Sequence, residues 1–257
     1  MRFSITRLIK FLNCPASYRF QYSDGVDWEF QPVNLVFGKV AHEVLAEYHT
    51  RLKTGRGFDC ASAFDKQWQD AIHTIPKLRF AKLSAHELLK RGTALLGAYT
   101  ETINYQIVQD VELYFELPLI DLSTGHYSGH QASGRIDLVA DDSIFEFKTS
   151  SRSATQANAD ESVQLTFYAW AYQLLYAKAP KRMVQVNLIK TKSPRIQMLE
   201  THREPRDFTR LYGVINQVID AIEKEVFFPN LETKWGCESC VFQQHCGKQN
   251  QTEEVRA

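Results

Sequence analysis

Residues 134–149 read GRIDLVADDSIFEFKT, and this stretch decides the fold. Apolar and polar side chains alternate in residues 134–140 and again in residues 144–149, which predicts two strands that each turn one face toward a core. The acidic pair Asp141 and Asp142 lies between them and suits a two-residue turn. The stretch therefore predicts an antiparallel β-hairpin.

The predicted register brings charged side chains of the two strands together. Pairing outward from the turn places Asp137 opposite Glu146, and Arg135 opposite Lys148. Asp137, Glu146 and Lys148 then share one face. The apolar side chains take the other face: Ile136, Leu138, Phe145 and Phe147.

Two facing carboxylates repel each other unless a cation lies between them. Mg²⁺ and Mn²⁺ take oxygen ligands and keep open water positions, so a pair of carboxylates such as Asp137 and Glu146 is typical of a phosphate-processing site. Lys148 beside them would stabilise developing charge. The alternative is a solvated strand face with a salt bridge.

The rest of the chain predicts an α/β domain, with a mixed central β-sheet flanked by helices. Ser4 is a plausible N-cap for a helix over residues 5–13, which Pro15 restarts toward residue 22. Ser84 and Glu87 have the spacing of a capping box. The other predicted elements are helices over 36–52, 59–72, 84–108, 158–177 and 205–226, and strands over 111–119, 183–191 and 196–202. We expect a single domain over residues 1–257 with a helical insertion at 53–108.

Charge and hydropathy exclude two classes of protein. The 30 Lys and Arg residues balance 30 Asp and Glu residues, so overall positive charge does not attract nucleic acid, and any DNA contact must come from a local patch. Basic residues interrupt the N-terminal apolar run, and no window has the roughly 20 apolar residues of a membrane helix. We expect a soluble, cytoplasmic protein without a membrane partner.

Four motifs, taken together, resemble those of a known superfamily. Gly134-Arg-Ile-Asp137-Leu-Val and Phe145-Glu146-Phe-Lys148-Thr149 are similar to the D-x8-E-x-K core of PD-(D/E)XK nucleases, whose fold is restriction-endonuclease-like. Gly38-x3-His42 precedes that core and Gln164-x3-Tyr168 follows it. This order resembles the RecB-like exonuclease branch. The resemblance implies a Mg²⁺- or Mn²⁺-dependent deoxyribonuclease, which is a phosphodiester hydrolase.

The resemblance also implies a role for each motif residue. Asp137, Glu146 and Lys148 would be catalytic, and His42 would bind the metal ion together with the two acids. Gln164 and Tyr168 would bind DNA near the scissile phosphate.

Residue chemistry leaves other assignments open for several positions. Gln164 and Tyr168 are four residues apart and share a helix face, where core packing is their usual role. His49, on the same predicted helix as His42, stays an alternative ligand. Glu112 and Glu116 lie on the polar face of the strand over 111–119, and we interpret them as solvated and outside the site.

The cysteines predict a second metal centre. Cys237-x2-Cys240-x5-Cys246 places three thiols on one short segment, and C-x2-C spacing allows two sulfurs to bind one centre. Cys14, before Pro15, is the natural fourth ligand, and Cys60 is then the spare cysteine.

This arrangement resembles the iron–sulfur subclass of RecB-like nucleases, which includes AddB-type nuclease domains and CRISPR adaptation exonucleases. The resemblance implies a cluster, commonly [4Fe–4S], that joins residues 1–22 to residues 230–247 in a structural role. Structural Zn²⁺, bound by four thiolates or by three with His245, is the alternative.

The resemblance implies an exonuclease on single-stranded DNA or DNA ends, in recombination and repair or in CRISPR spacer processing, with a helicase or an integrase as possible partner. The alternative is a non-catalytic iron–sulfur subunit that binds DNA or acts as a scaffold in a larger complex. Trp28 and Phe30, in the loop over 25–34, offer rings that could stack on bases, although buried packing is the commoner role of such rings.

Overall fold

The structure is a computed structural model, and it describes residues 1–103, 105, 107–230, 232 and 237–246. The strands are β1 (Arg2–Ser4), β2 (Gln31–Pro32), β3 (Leu78–Arg79), β4 (Val108–Ile120), β5 (Tyr127–Ala140), β6 (Ser143–Ser150), β7 (Met183–Ile189) and β8 (Arg195–Thr201). The helices are α1 (Ile5–Asn13), α2 (Pro15–Tyr22), α3 (Val33–Lys53), α4 (Cys60–Thr74), α5 (Ala85–Thr102), α6 (Gln156–Asp160), α7 (Val163–Tyr176) and α8 (Pro205–Glu223). The polar tail expected after Gly247 lies outside the described residues.

Six strands form a mixed sheet, which confirms the predicted fold class. The order is β1-β5-β6-β7-β8, and β4 pairs with the other edge of β5. The β1–β5 and β6–β7 pairs are parallel, and the β4–β5, β5–β6 and β7–β8 pairs are antiparallel. Strands β2 and β3 form a separate two-stranded sheet.

The central hairpin has the predicted register near its turn. Ala140 pairs with Ser143, and Leu138 with Phe145. Asp141 and Asp142 have φ angles of 49° and 58°, as a mirror-image two-residue turn requires. The predicted pairings of Asp137 with Glu146 and of Arg135 with Lys148 are wrong, because pairing between β5 and β6 stops at Leu138 and Phe145. Beyond that point β6 pairs with β7, where Lys148 lies opposite Asn187.

Hydrophobic cores cover both faces of the sheet. The first core lies with α1, α7 and α8, and the second lies with α3, α4 and α5. Leu138, Phe145 and Phe147 pack in the second core, but Ile136 packs in the first. The prediction that all four share one apolar face is therefore wrong for Ile136. The alternation of faces is interrupted between Ile136 and Leu138, since their β4 partners Leu113 and Val111 also pack against different cores.

Local signals in the sequence place most helix ends correctly. The Ser4 hydroxyl accepts a hydrogen bond from the Arg7 amide, and Ser84 and Glu87 form the predicted capping box. The helix predicted over 158–177 is instead two helices, because Ser162 caps a new helix at Val163. The helices predicted to reach residues 108 and 226 end at Thr102 and Glu223. Strand β1 was not predicted.

Residues 53–108, the segment predicted as an insertion, contain α4 and α5, whose side chains share the second core with α3. Among the described residues, no helix combines the length and the hydropathy that crossing a bilayer requires.

Candidate active site

The site lies where β5 and β6 separate, and we call this point the fork. Beyond the Leu138–Phe145 pair, β6 continues alongside β7 as far as Ser150. The Asp137 carboxylate takes up part of the gap, since its Oδ2 accepts a hydrogen bond of 2.8 Å from the Phe147 amide. Asp137 is thus anchored to the backbone of the neighbouring strand.

Helix α3 brings a histidine to the fork. A Cβ atom at Gly38 would lie 3.2 Å from the Thr149 hydroxyl, so the glycine allows the helix to approach β6 closely. His42, one turn further along, places its Nδ1 3.6 Å from Asp137 Oδ2. Burial lowers the pKa of His42, but the Asp137 carboxylate outweighs it, and the net shift is upward. The pKa of Asp137 falls despite burial, because His42 and the Phe147 amide stabilise the carboxylate.

Glu112 of β4 completes a group of possible metal ligands. Val111 pairs with Leu138 and Leu113 with Ile136, which puts Glu112 across from Asp137. In the described part of the chain, His42, Glu112 and Asp137 each offer a ligand atom within 4.8 Å of the others.

The surroundings of Glu112 favour a cation there. Its φ of 52° lies in the left-handed region, which is uncommon for a residue other than glycine. Burial, followed by repulsion from Asp137, raises its pKa. The nearest described cation in an ion pair is Arg135, whose Nε lies 3.7 Å from Glu112 Oε2.

Sequence reasoning left Glu112 out as a solvated strand residue. The signal that could have found it is strand register. Pairing β4 with β5 sets Glu112 across from Asp137.

Glu146 and Lys148 lie on the α7 side of the fork. Glu146 is only 2% exposed, and its Oε1 accepts a hydrogen bond of 2.6 Å from Lys148 Nζ. Its Oε2 is buried and has no hydrogen-bond partner among the residues that the structure describes. Burial raises the pKa of Glu146 to about 8, Lys148 opposes this shift, and Asp137 adds to it. A cation beside Glu146 would stabilise the ionised form of its carboxyl, so this environment favours cation binding.

Of the two residues predicted to bind DNA, Gln164 contacts Lys148, and Tyr168 contacts Gln164. Lys148 Nζ donates to Gln164 Oε1 at 2.5 Å, and Gln164 Nε2 donates to the Tyr168 hydroxyl at 2.9 Å. Tyr168 is 3% exposed, and burial raises its pKa. The spacing of four residues on α7 therefore lets Tyr168 position Gln164, and Gln164 in turn positions Lys148.

Comparison with known proteins decides the family. A family model described as the PD-(D/E)XK nuclease superfamily matches residues 2–247. The chain belongs to the PD-(D/E)XK nuclease superfamily. Members hydrolyse phosphodiester bonds and use divalent metals, and the group of His42, Glu112 and Asp137 could bind one.

One solved structure supports the fold of this PD-(D/E)XK chain. It is the crystal structure of "Putative exonuclease" from Eubacterium rectale, with a TM-score of 0.58 and 11% sequence identity. The match covers 94% of this chain and 86% of that one. A search of curated proteins gives no match.

Two other candidates in this PD-(D/E)XK chain lie away from the metal group. His49 is buried in the second core, where its ring stacks on Phe147 and its Nε2 lies 2.9 Å from the Tyr99 hydroxyl. Burial lowers its pKa to about 4, so it stays neutral. Glu116 forms an exposed ion pair with Arg2 at 3.3 Å.

The chain termini meet in a second region, which we call the cysteine lobe: residues 14–20 and 237–246. Its small core consists of Ala16, Phe20, Val241 and Phe242. Cys14, Cys240 and Cys246 pack against this core, and Cys237 lies in a 3₁₀ turn.

The four thiols of the lobe are close enough to influence one another. Burial raises the pKa of Cys246, and the sulfurs of Cys14, Cys237 and Cys240 raise it further. All four are free of disulfides, and their chemistry fits a thiolate-bound metal centre. Cys60 lies in the second core, and burial raises its pKa to about 12.

Proposed function

We propose that this chain is a Mg²⁺- or Mn²⁺-dependent deoxyribonuclease that acts as an exonuclease on single-stranded DNA or DNA ends. The observation that carries the proposal is the convergence of His42, Glu112 and Asp137 at the fork, with Lys148 bonded to the buried Glu146 beside them. The name of the Eubacterium rectale neighbour agrees with an exonuclease.

His42, Glu112 and Asp137 would hold the metal ion, and Glu146 would join them through its unpartnered Oε2. A bound Mg²⁺ or Mn²⁺ would polarise the phosphoryl oxygen and lower the pKa of water. The buried carboxylates repel one another, which gives the site its affinity for a cation.

Lys148 is the residue best placed to stabilise charge on the phosphate. Glu146 and Gln164 hold its Nζ at 2.6 and 2.5 Å, so the ammonium is positioned before substrate arrives. Tyr168 in turn positions Gln164. In this proposal Gln164 remains a DNA contact, because its side chain is only partly buried, and Tyr168 acts through it.

The cysteine lobe supports membership of the RecB-like branch, with Cys14, Cys237, Cys240 and Cys246 binding a structural iron–sulfur cluster such as [4Fe–4S], or Zn²⁺. Lys10 beside the lobe fits a thiolate centre, since the Cys240 and Cys14 sulfurs raise its pKa against the larger effect of burial. We propose that the protein acts in recombination and repair or in CRISPR spacer processing, with a helicase or an integrase as partner.

The test is cleavage of 5′- and 3′-labelled single strands with Mn²⁺. Lys148→Ala should lower the cleavage rate about 100- to 1000-fold, as losing one charge-stabilising donor does in other enzymes. Lys181→Ala is the matched control, because Lys181 is 69% exposed and pairs with Asp142 at the hairpin turn. Cleavage by Lys148→Ala at the wild-type rate would contradict the assignment. DNA binding without cleavage by the wild type would favour the non-catalytic subunit.

A further inference from the structure

A pocket of about 500 Å³ opens beside the cysteine lobe, outside the site described above. Its walls come from the end of α2, from the loop before α3 and from the turn between α4 and β3. Its lining residues include Gln21, Asp27, Trp28, Phe30 and Lys77. Its volume lies within the range of about 300–1000 Å³ that is usual for small-molecule sites.

Backbone contacts hold this pocket in shape without a ligand. The Gln31 amide donates to the Lys77 carbonyl at 2.9 Å, and β2 pairs with β3 just beyond. On the opposite side, the Glu29 amide donates to the Val241 carbonyl, and Glu29 Oε1 accepts from the Gln244 amide at 2.7 Å. The loop that carries Trp28 and Phe30 is thus fixed at both ends.

The side chains of the pocket suit a nucleotide. Trp28 and Phe30 are half-buried, so their rings line the pocket and still reach its mouth. The Arg79 guanidinium lies 4.4 Å from the Phe30 ring centre, and the exposed Lys77 adds a second cation at the rim. Gln21 Oε1 is buried without a hydrogen-bond partner. Aromatic faces with nearby cations are the combination with which proteins bind single-stranded nucleic acid.

The pocket lies next to the N-terminal end of α3, the helix that carries His42. Its residue Gln31 lies two residues before Val33, the first residue of α3, and His42 lies nine residues after Val33. At 1.5 Å per residue this separation is about 14 Å along the helix. A few nucleotides of extended single strand span such a distance.

We propose that this pocket binds an unstacked base of a single-stranded DNA substrate, a few nucleotides from the scissile phosphate, with Lys77 and Arg79 facing the adjoining phosphates. The inference rests on the proposed function for its substrate class. It assigns to Trp28 and Phe30 a binding role that is separate from catalysis.

The experiment measures binding of a fluorescein-labelled oligothymidylate of about 12 nucleotides by anisotropy, with Ca²⁺ replacing Mn²⁺ to prevent cleavage. Trp28→Ala should weaken binding about 5- to 100-fold, the effect of losing one base–aromatic stack. Trp28→Phe should restore most of it, which separates stacking from a folding defect. Tyr127→Ala, at an exposed aromatic on β5, should bind as wild type. Lys77→Ala should reduce the salt dependence of binding by about one phosphate contact.

Cleavage of the small ester thymidine 5′-(p-nitrophenyl phosphate), which is too short to reach the pocket, should be unchanged in Trp28→Ala. If Trp28→Ala binds the oligonucleotide with wild-type affinity, the pocket does not bind a base. An equally large loss of cleavage of the small ester would also overturn the proposal. A wild-type protein that cleaves neither substrate would overturn the proposed nuclease. In that case, a binding loss confined to Trp28→Ala would still support the base pocket.

Discussion

The fork and the cysteine lobe both gather residues that are distant in sequence, but they rest on very different amounts of structure. The fork lies between two extended cores and is held by strand pairing on β4, β5, β6 and β7. The lobe has four buried core residues, namely Ala16, Phe20, Val241 and Phe242. We therefore propose that the fork keeps its shape without a ligand, whereas the lobe depends on a metal centre bound by its thiols.

The largest expected effect tests the lobe through Cys14→Ser. A centre that joins residue 14 to residue 246 closes almost the whole chain into a loop, and losing such a crosslink costs about 2–4 kcal/mol. For a protein of this size the melting temperature should fall by about 5–15 °C. Metal content and visible absorbance should fall with it. Calorimetry and metal analysis of the purified protein measure both.

The matched control is Cys60→Ala, because Cys60 is buried in the second core away from the lobe. It should keep the wild-type metal content and lose only about 1 kcal/mol of stability, the cost of a small cavity. A Cys14→Ser protein that retains its metal and melts like the wild type would remove the contrast between the two regions.

Features that depend on neighbouring residues could be predicted from the sequence. Ser4 and the Ser84–Glu87 pair set helix starts through hydrogen bonds within one turn, and Pro15 starts α2 through its fixed φ. The hairpin at Asp141–Asp142 follows from two alternating runs and a two-residue turn.

Features that depend on distant contacts could not be predicted in this way. Glu112 enters the site because β4 pairs with the far edge of β5, and alternation along β4 alone cannot reveal its partner strand. Ile136 packs in the first core because the alternation of faces along β5 is interrupted after it, at the position across from Glu112. The burial of Tyr168 depends equally on how α7 lies against the sheet.

Glu112→Gln tests whether Glu112 is a metal ligand at the fork. It removes one of three clustered carboxylates, so Mn²⁺ affinity should fall about 10- to 100-fold, as after removal of supporting groups in other metal sites. The metal-free protein should be at least as stable as the wild type, since repulsion from Asp137 is relieved. Titration calorimetry measures the affinity, and thermal melting measures the stability.

Glu116→Gln is the control for this change, because Glu116 lies on the same strand but pairs with Arg2 at the surface. It should leave Mn²⁺ affinity unchanged. Equal losses in the two variants would mean that the effect is general electrostatics and that Glu112 is not a ligand.

The smallest expected effect is a pH dependence that belongs to the fork. Burial raises the pKa of Glu146 to about 8, so its carboxyl is partly protonated at neutral pH and must lose the proton before it can bind a cation. Metal affinity should therefore rise with pH, by up to about tenfold per unit, and level off above about pH 8. Calorimetry in two buffers of different ionisation enthalpy should detect about one proton released per Mn²⁺ near pH 7.

Glu146→Gln should flatten the pH profile even where it weakens binding. If the Mn²⁺ affinity of the wild type is constant between pH 6 and 8, Glu146 is already ionised in the metal-free protein. Burial would then not raise its pKa into this range.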